Sequence, residues 1–436
     1  MLMRPLSLAG AVLALGLAAL PARALDIQPE TSPGGVEFWL VEEPAIPIVA
    51  IEIVFEGGAR IDPEDKAGVA NMVAGLLDEG AGEMDSVAFA KERDRISARY
   101  GFSAGRDTLS VSARMLAENA AESAALLATA LSEPRFDPAP MERMRGRILS
   151  SIAESETDPG AIARKTWFAR AFPDHPYGRP VEGRAETVSE LTREDLVNAT
   201  ERLLTRSNVT IGIVGALDAE QAGRLVDTIL ADLPEGEPVT AEPAPDTPPP
   251  GTEVVTLDVP QSAAIFGHHG LRREDPDFIP AFVMNHILGG GGFSSKLTEE
   301  VREKRGLAYG VYSYLQVLEA AELHMGGVRT ANERMNESLE VIRAQWRRMA
   351  EDGPTQERLD DAKKYLTGAF PLRFDSNAKI ADYLVFVQRA ELGLDYFDRR
   401  NDLIEAVTLE DVKRVAARLL KPEELSIVVV GQPAGL

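Results

Sequence analysis

Ile48-Val49-Ala50-Ile51-Glu52-Ile53-Val54-Phe55-Glu56-Gly57-Gly58-Ala59-Arg60-Ile61-Asp62-Pro63-Glu64-Asp65-Lys66-Ala67-Gly68-Val69-Ala70-Asn71-Met72-Val73-Ala74-Gly75-Leu76-Leu77 holds a strand, a turn and a helix in succession. Ile48 to Phe55 is β-branched and apolar and runs into Gly57-Gly58, the pattern of a buried strand ending in a tight turn. From Ala67 to Leu77 the apolar residues Val69, Met72, Val73, Leu76 and Leu77 fall at helical spacing. The same order recurs further on. Ala263 to His269 reads as a strand, and Asp275-Pro276 follows it as Asp62-Pro63 follows the first. Three more pairs keep the order. Glu142-Arg143 matches Glu357-Arg358, and Thr192-x-Glu194-Asp195 matches Thr408-x-Glu410-Asp411. Leu203-Leu204 with Val209 to Gly215 matches Leu419-Leu420 with Leu425 to Gly431. A nearly constant separation of about 215 residues marks an internal duplication.

Between the copies, Pro234, Pro238, Pro243, Pro245, Pro248, Pro249 and Pro250 stand among acids and small residues. No helix or central strand survives that density, so residues 234–251 read as an extended, semi-rigid spacer. It separates lobes at 25–233 and 252–436, each of ordinary domain size. Each reads as α+β. Leu109, Val111 and Ala113 alternate with polar residues as a half-buried strand does, and Val209 to Val214 is a closing strand. Helices are expected over Ala117 to Leu131, Met141 to Glu154 and Asn332 to Ala350, and Ser426 to Val430 closes the second sheet. The expected lobe is a mostly antiparallel sheet with helices packed on one face.

The N-terminus carries Arg4, an apolar run from Leu6 to Leu20, and Ala22-Arg23-Ala24. That is the order of a cleavable secretory signal over residues 1–24, with an uncleaved anchor as the alternative. Export to the periplasm is expected. No other stretch is apolar for long enough to span a membrane. The chain has no cysteine, which removes disulfides, thiolate metal sites and thiol nucleophiles. Its net charge of −23 opposes binding to nucleic acid or anionic membrane. It contains no Gly-x-Ser-x-Gly elbow and no phosphate loop.

The strand, glycine turn, Asp-Pro and helix resemble the opening of each lobe in the pitrilysin/insulinase zinc peptidases, the inverzincins. The resemblance implies a two-lobed chain forming half of a clamshell. In that family the first helix carries His-x-x-Glu-His. Two histidines one turn apart reach one Zn²⁺, and the Glu between them deprotonates the bound water. Here the two histidine positions are Asn71 and Gly75, and the general-base position is Ala74. Counting back from the family-like Pro176-Tyr177-Gly178, the distal glutamate falls at Ser151, with Glu154 close by. Amide, methyl, hydrogen and hydroxyl do not replace His, Glu, His and Glu, so no metal is expected on this chain. Gly75 inside a helix costs about 1 kcal/mol relative to Ala; close packing of another backbone is the expected compensation. The five histidines, His175, His268, His269, His286 and His324, include no i, i+4 pair. His268 and His269 are expected on opposite sides of a strand.

The second lobe contains Ile287-Leu288-Gly289-Gly290-Gly291-Gly292-Phe293-Ser294-Ser295-Lys296-Leu297-Thr298-Glu299-Glu300-Val301-Arg302-Glu303-Lys304-Arg305-Gly306-Leu307-Ala308-Tyr309. Four successive glycines fit a loop that approaches other backbone or moves. Ser294 or Ser295 is expected to cap the next helix, Gly306 to end it, and Leu307 to Tyr314 to form a strand. The resemblance implies that Gly289, Gly290, Gly291 and Gly292 with an Arg/Tyr pair hold substrate backbone near the scissile bond. Arg302 and Tyr309 fit the family spacing; Arg305 is a rival for the Arg.

Three functions are consistent with this pattern. The first is a non-catalytic, substrate-binding subunit of a heterodimeric periplasmic metallopeptidase acting on unfolded peptides, with zinc on a related partner chain. The second is a proteolytically inactive binding or assembly protein of the cell envelope. The third is an enzyme whose metal site has moved elsewhere.

Overall fold

The computed structural model describes residues 25–245 and 248–436. The segment read as an export signal, 1–24, lies outside them. The first lobe contributes strands β1 (Ile27–Thr31), β2 (Glu37–Glu42), β3 (Ile48–Glu56), a small β4–β5 hairpin (Gly80–Ala81, Met84–Asp85), β6 (Arg99–Ala104), β7 (Thr108–Leu116) and β8 (Val209–Gly215). The second contributes β9 (Gly251–Thr256), β10 (Gln261–His269), β11 (Gly310–Val317), β12 (Glu322–Ala331) and β13 (Ser426–Gly431).

The two large sheets run β1-β2-β8-β3-β7-β6 and β11-β12-β10-β13-β9. Read in opposite directions, β2-β8-β3-β7-β6 and β9-β13-β10-β12-β11 are the same arrangement. Each has one parallel pair, β2 with β8 and β9 with β13, and is otherwise antiparallel. The duplication therefore holds at the level of topology. It also holds in detail: Thr192 and Asp195 form a reciprocal capping box, and Thr408 and Asp411 repeat it. Each box satisfies orphan amides at a helix start and contributes about 1 kcal/mol.

Alternation along the strands decides which face is buried. In β3, Val49, Ile51, Ile53 and Phe55 enter the first core, joined by Leu109, Val111 and Ala113 of β7, Val69, Met72 and Val73 of the following helix, and Leu76 and Leu77 in the turn after it. The second core gathers Ala264, Phe266, Val328, Ile427 and Val429 against Leu339, Ile342 and Trp346. Each lobe thus packs its own helices on one face of its sheet.

The opposite faces are closed by exchange. Helix Pro159–Ala171 of the first half lies on the second sheet, where Trp167, fully buried, donates Nε1–H to Ser426 O at 2.9 Å. Helix Asn377–Arg389 of the second half lies on the first sheet. There Ile380, Ala381 and Leu384 pack on Ala50 and Val214, and Gln388 Nε2 donates to Ile211 O at 3.0 Å. A buried node ties the lobes again. Tyr177 Oη donates to Asp107 Oδ1 at 2.6 Å and accepts from Ala320 N at 3.1 Å, and Arg60 Nε lies 3.2 Å from Asp107. The proline-rich segment is tacked down: Arg60 Nη1 donates to Thr240 O, Asn208 Nδ2 to Glu237 O, and Arg170 Nη2 to Pro250 O. Gly251 already belongs to β9. Among the described residues no helix is long and apolar enough to cross a membrane.

Candidate functional site

The helix after β3 is short, Val69–Ala74, with Gly75 as its C-cap. Asp62 holds its start: the carboxylate accepts from Gly68 N at 2.9 Å and Ala70 N at 3.2 Å. Burial nonetheless pushes the Asp62 carboxyl up to about 7. Asn71 is half-buried and Ala74 is buried in the first core. A Cβ on Gly75 would lie 2.3 Å from Met144 Cε and 2.8 Å from its Sδ. The expected backbone neighbour at Gly75 is therefore a methionine side chain, carried on helix Pro138–Ser155. Any longer side chain at this position requires the end of the Met144 side chain to move aside. Ser151 and Glu154 are exposed on the same helix.

A carboxylate does stand nearby, but it is committed. Glu79 Oε2 accepts from Ser86 Oγ at 2.6 Å and Arg143 Nη2 at 2.9 Å, and Arg147 lies 3.6 Å from Oε1. Asn71, Ala74, Gly75 and Ser151 supply no imidazole and no carboxylate, and the space of the second imidazole is filled. These residues do not fit zinc.

The histidines have other work. His175 accepts from Tyr177 N through Nδ1 at 3.1 Å and meets Glu242 O through Nε2 at 3.1 Å. His268 is buried while His269 is exposed, as strand alternation requires. Sequence spacing did not reveal that His268 and His324 are cross-strand partners, with ring centroids 5.4 Å apart. Trp346 Nε1 donates to His268 Nε2 at 3.0 Å, so His268 Nδ1 carries the proton that goes to His269 O at 2.7 Å. His324 Nε2 donates to Asn285 Oδ1 at 2.9 Å. Burial holds the His268 pKa down to about 4 and that of His324 well below its usual range, so both rings are neutral. Among the described residues no group of three or more His, Asp or Glu side chains gathers as a metal ion would require.

The second-lobe segment is built differently. Helix Phe278–Asn285 runs into a widened turn over His286–Gly290, then a tight turn at Gly292–Ser294, then the turn Thr298–Glu303. Gly289 is buried, and a Cβ there would lie 2.3 Å from Ser313 Oγ, so the first glycine allows close approach to β11. Gly290, Gly291 and Gly292 come to the surface, and Gly292 takes φ +58 in open space. Ser295 caps the next turn, accepting from Thr298 N at 3.3 Å; Ser294 Oγ instead donates to Gly291 O. Gly306, at φ +60, ends it, and the strand starts at Gly310 rather than Leu307.

Arg302 and Tyr309 meet. The Arg302 guanidinium carbon sits 4.7 Å from the Tyr309 ring and 4.7 Å from the Phe293 ring. Both rings face solvent, Tyr309 85 % and Phe293 70 % exposed. The cation is thus flanked by two aromatic rings, and among the described residues no hydrogen bond or ion pair engages its N–H groups. Arg305, the rival, donates to Glu300 Oε2 at 2.6 Å and Glu300 O at 2.8 Å. Glu299 is also committed. Its carboxyl is held down to about 2 by Lys304, Lys296 and Arg358. Phe293 was missed by spacing arguments; its place between the last glycine and Ser294 was the available signal.

Known proteins place this architecture. A profile described as Insulinase (Peptidase family M16) matches residues 38–185, and one described as Peptidase M16 inactive domain matches 190–366. A Helicobacter pylori protein described as the non-peptidase homolog YmxG is 27% identical over 356 residues, covering 81% of this chain and 82% of that one. An uncharacterized zinc protease of Mycobacterium tuberculosis is 27% identical over 416 residues, covering 92% of each. A crystal structure of a peptidase M16 inactive domain from Pseudomonas fluorescens superposes with a TM-score of 0.88 at 28% identity, covering 94% of this chain and 98% of that one. With both halves matched and the paired sheets reproduced, this chain belongs to the M16 (insulinase) family, and its Val69–Ala74 helix holds neither histidine nor glutamate.

Proposed function

We propose that this chain is the non-catalytic, substrate-holding subunit of a two-chain periplasmic zinc metallopeptidase that acts on unfolded peptides. The supporting observation is the contrast between Arg302, half-buried beside the exposed Tyr309 with uncommitted donors, and Gly75, packed against Met144. Arg presents a fixed fork of donors to a peptide carbonyl, and a Tyr hydroxyl can steady a developing oxyanion. Zinc, water activation and bond cleavage would belong to a related partner chain with an intact His-x-x-Glu-His. The order of residues in 1–24 supports export and a periplasmic location. The test is co-purification with such a partner followed by peptide hydrolysis. Cleavage that requires both chains and collapses on Arg302→Ala or Tyr309→Phe is expected. Full activity with both substitutions would remove the clamp role.

A second reading, an inactive binding or assembly protein, draws on the description of YmxG as a non-peptidase homolog. It predicts peptide or envelope-protein binding by the isolated chain with no zinc-bearing partner.

A further inference from the structure

Where the two lobes meet, a cavity of about 440 Å³ opens between helix Phe278–Asn285, helix Asn377–Arg389, helix Tyr396–Ala406 and the first sheet at Val54 and Ser110. No residue of the Arg302 clamp lines it. Four arginines do, in a chain whose net charge is −23.

Only one of the four is neutralised. Arg389 binds Glu56 at 2.6 Å and 3.1 Å and Glu319 at 2.8 Å. Arg400 is 5 % exposed, lies over the Phe370 ring at 4.1 Å, and meets neutral acceptors, Leu366 O, Asn401 Oδ1 and the Tyr396 hydroxyl. Arg273 lies 4.8 Å from the Phe386 ring and 5.2 Å from the Phe278 ring. Arg373 is exposed at the rim. Among the described residues no carboxylate comes within ion-pair distance of Arg273, Arg373 or Arg400. The one acid on the wall, Asp382, makes no ion pair with them; burial raises its pKa, and its acidic neighbour is Glu52.

A buried cation without a counter-charge is costly, and aromatic faces repay only part of that cost. Planar guanidinium forks match carboxylate and phosphate oxygens. The remaining wall, with Phe282, Tyr383 and Phe386, is apolar and aromatic. Its volume falls within the roughly 300–1,000 Å³ of small-molecule sites. We infer that this cavity binds a small organic anion, a carboxylate or phosphate on an aromatic or branched apolar body, with its charge on Arg273, Arg373 and Arg400.

Isothermal titration of the full chain with sodium benzoate, phenyl phosphate, inorganic phosphate and benzamide tests this. The expected result is saturable one-to-one binding of benzoate or phenyl phosphate, about tenfold or more tighter than benzamide and inorganic phosphate. The tighter of the two aromatic anions identifies the headgroup. Arg273→Gln and Arg373→Gln should each weaken it by about tenfold. Arg373 is at the surface, so its variant keeps the test valid where Arg400→Gln fails to fold. Absence of binding by both aromatic anions, equal binding of benzoate and benzamide, inorganic phosphate matching phenyl phosphate, or unchanged binding in both variants overturns the proposal.

Discussion

The Val69–Gly75 helix follows β3 and its Asp-Pro turn in the first half, and the Gly289–Tyr309 segment follows β10, its Asp-Pro turn and helix Phe278–Asn285 in the second. They have been built to opposite ends. In the first half every position that would carry metal chemistry is a side chain of the wrong kind, and Met144 has filled the space at Gly75. In the second half the backbone is pinned by close packing at Gly289, while Phe293 and Tyr309 stand in solvent on either side of a half-buried Arg302. Core filling stabilises a fold by several kcal/mol; a cation between two exposed rings contributes only about 0.5–1 kcal/mol per contact. A guanidinium whose N–H groups engage nothing among the described residues of its own fold is available to a ligand.

The largest test of this contrast is Arg302→Ala in the assembled two-chain complex. Peptide kcat/KM should fall by about 10²–10³, the scale of losing one preorganised donor to a developing charge. The melting temperature of the chain alone should not move, because Arg302 makes no ion pair with the fold. A drop in stability with unchanged turnover would make the clamp structural.

The lobes must act as one body for the contrast to matter, and Glu52 tests that. It lies on β3 beneath helix Asn377–Arg389, and burial, with Asp382 adding to it, raises its pKa to about 8. A carboxyl raised on folding contributes stability fully below pH 4.5 and loses it as pH rises through about 8. Glu52→Gln should therefore leave stability unchanged at pH 4 and raise it by roughly 2–4 kcal/mol at pH 9, measured by urea unfolding. Parallel pH curves for both proteins would mean that the second-half helix does not seal this face.

Restoring the lost side chains probes the filled site. Gly75→His should destabilise by about 1–3 kcal/mol through overpacking, and Met144→Ala in the same chain should recover most of that loss. The set Asn71→His, Ala74→Glu, Gly75→His and Ser151→Glu should take up zinc only when Met144 is also cut back, read by metal analysis of the purified protein. The smallest expected effect is at Phe293. Its replacement by Ala removes one exposed cation–π contact of about 0.5–1 kcal/mol, a few-fold change in peptide affinity.

Much of this was legible in the sequence. Strands β3, β8, β10 and β13, the duplication, the degenerate helix and the Arg302/Tyr309 pair all carry local signals: apolar period, turn residues, fixed spacing. The exchange of helices Pro159–Ala171 and Asn377–Arg389 carried none. Their apolar residues say that a face is buried but not against which half of the chain. Edge strand β9, exposed everywhere but Val255, lacks an alternating apolar signal, and its first residue, Gly251, falls in the spacer read over 234–251. The Met144–Gly75 contact joins residues far apart in sequence, and the His268–His324 pair depends on β-register, so neither has a spacing to find. The arginine cavity is likewise assembled from segments whose charges look ordinary one at a time.

The central claim is that this chain supplies half of an active site. The most direct measurement is peptide hydrolysis by a zinc-bearing M16 partner titrated with this chain. The account predicts little turnover by either chain alone, activity rising to a plateau at one-to-one stoichiometry, and zinc only on the partner. Undiminished turnover by the partner alone, or hydrolysis by this chain alone with stoichiometric zinc bound, would contradict it.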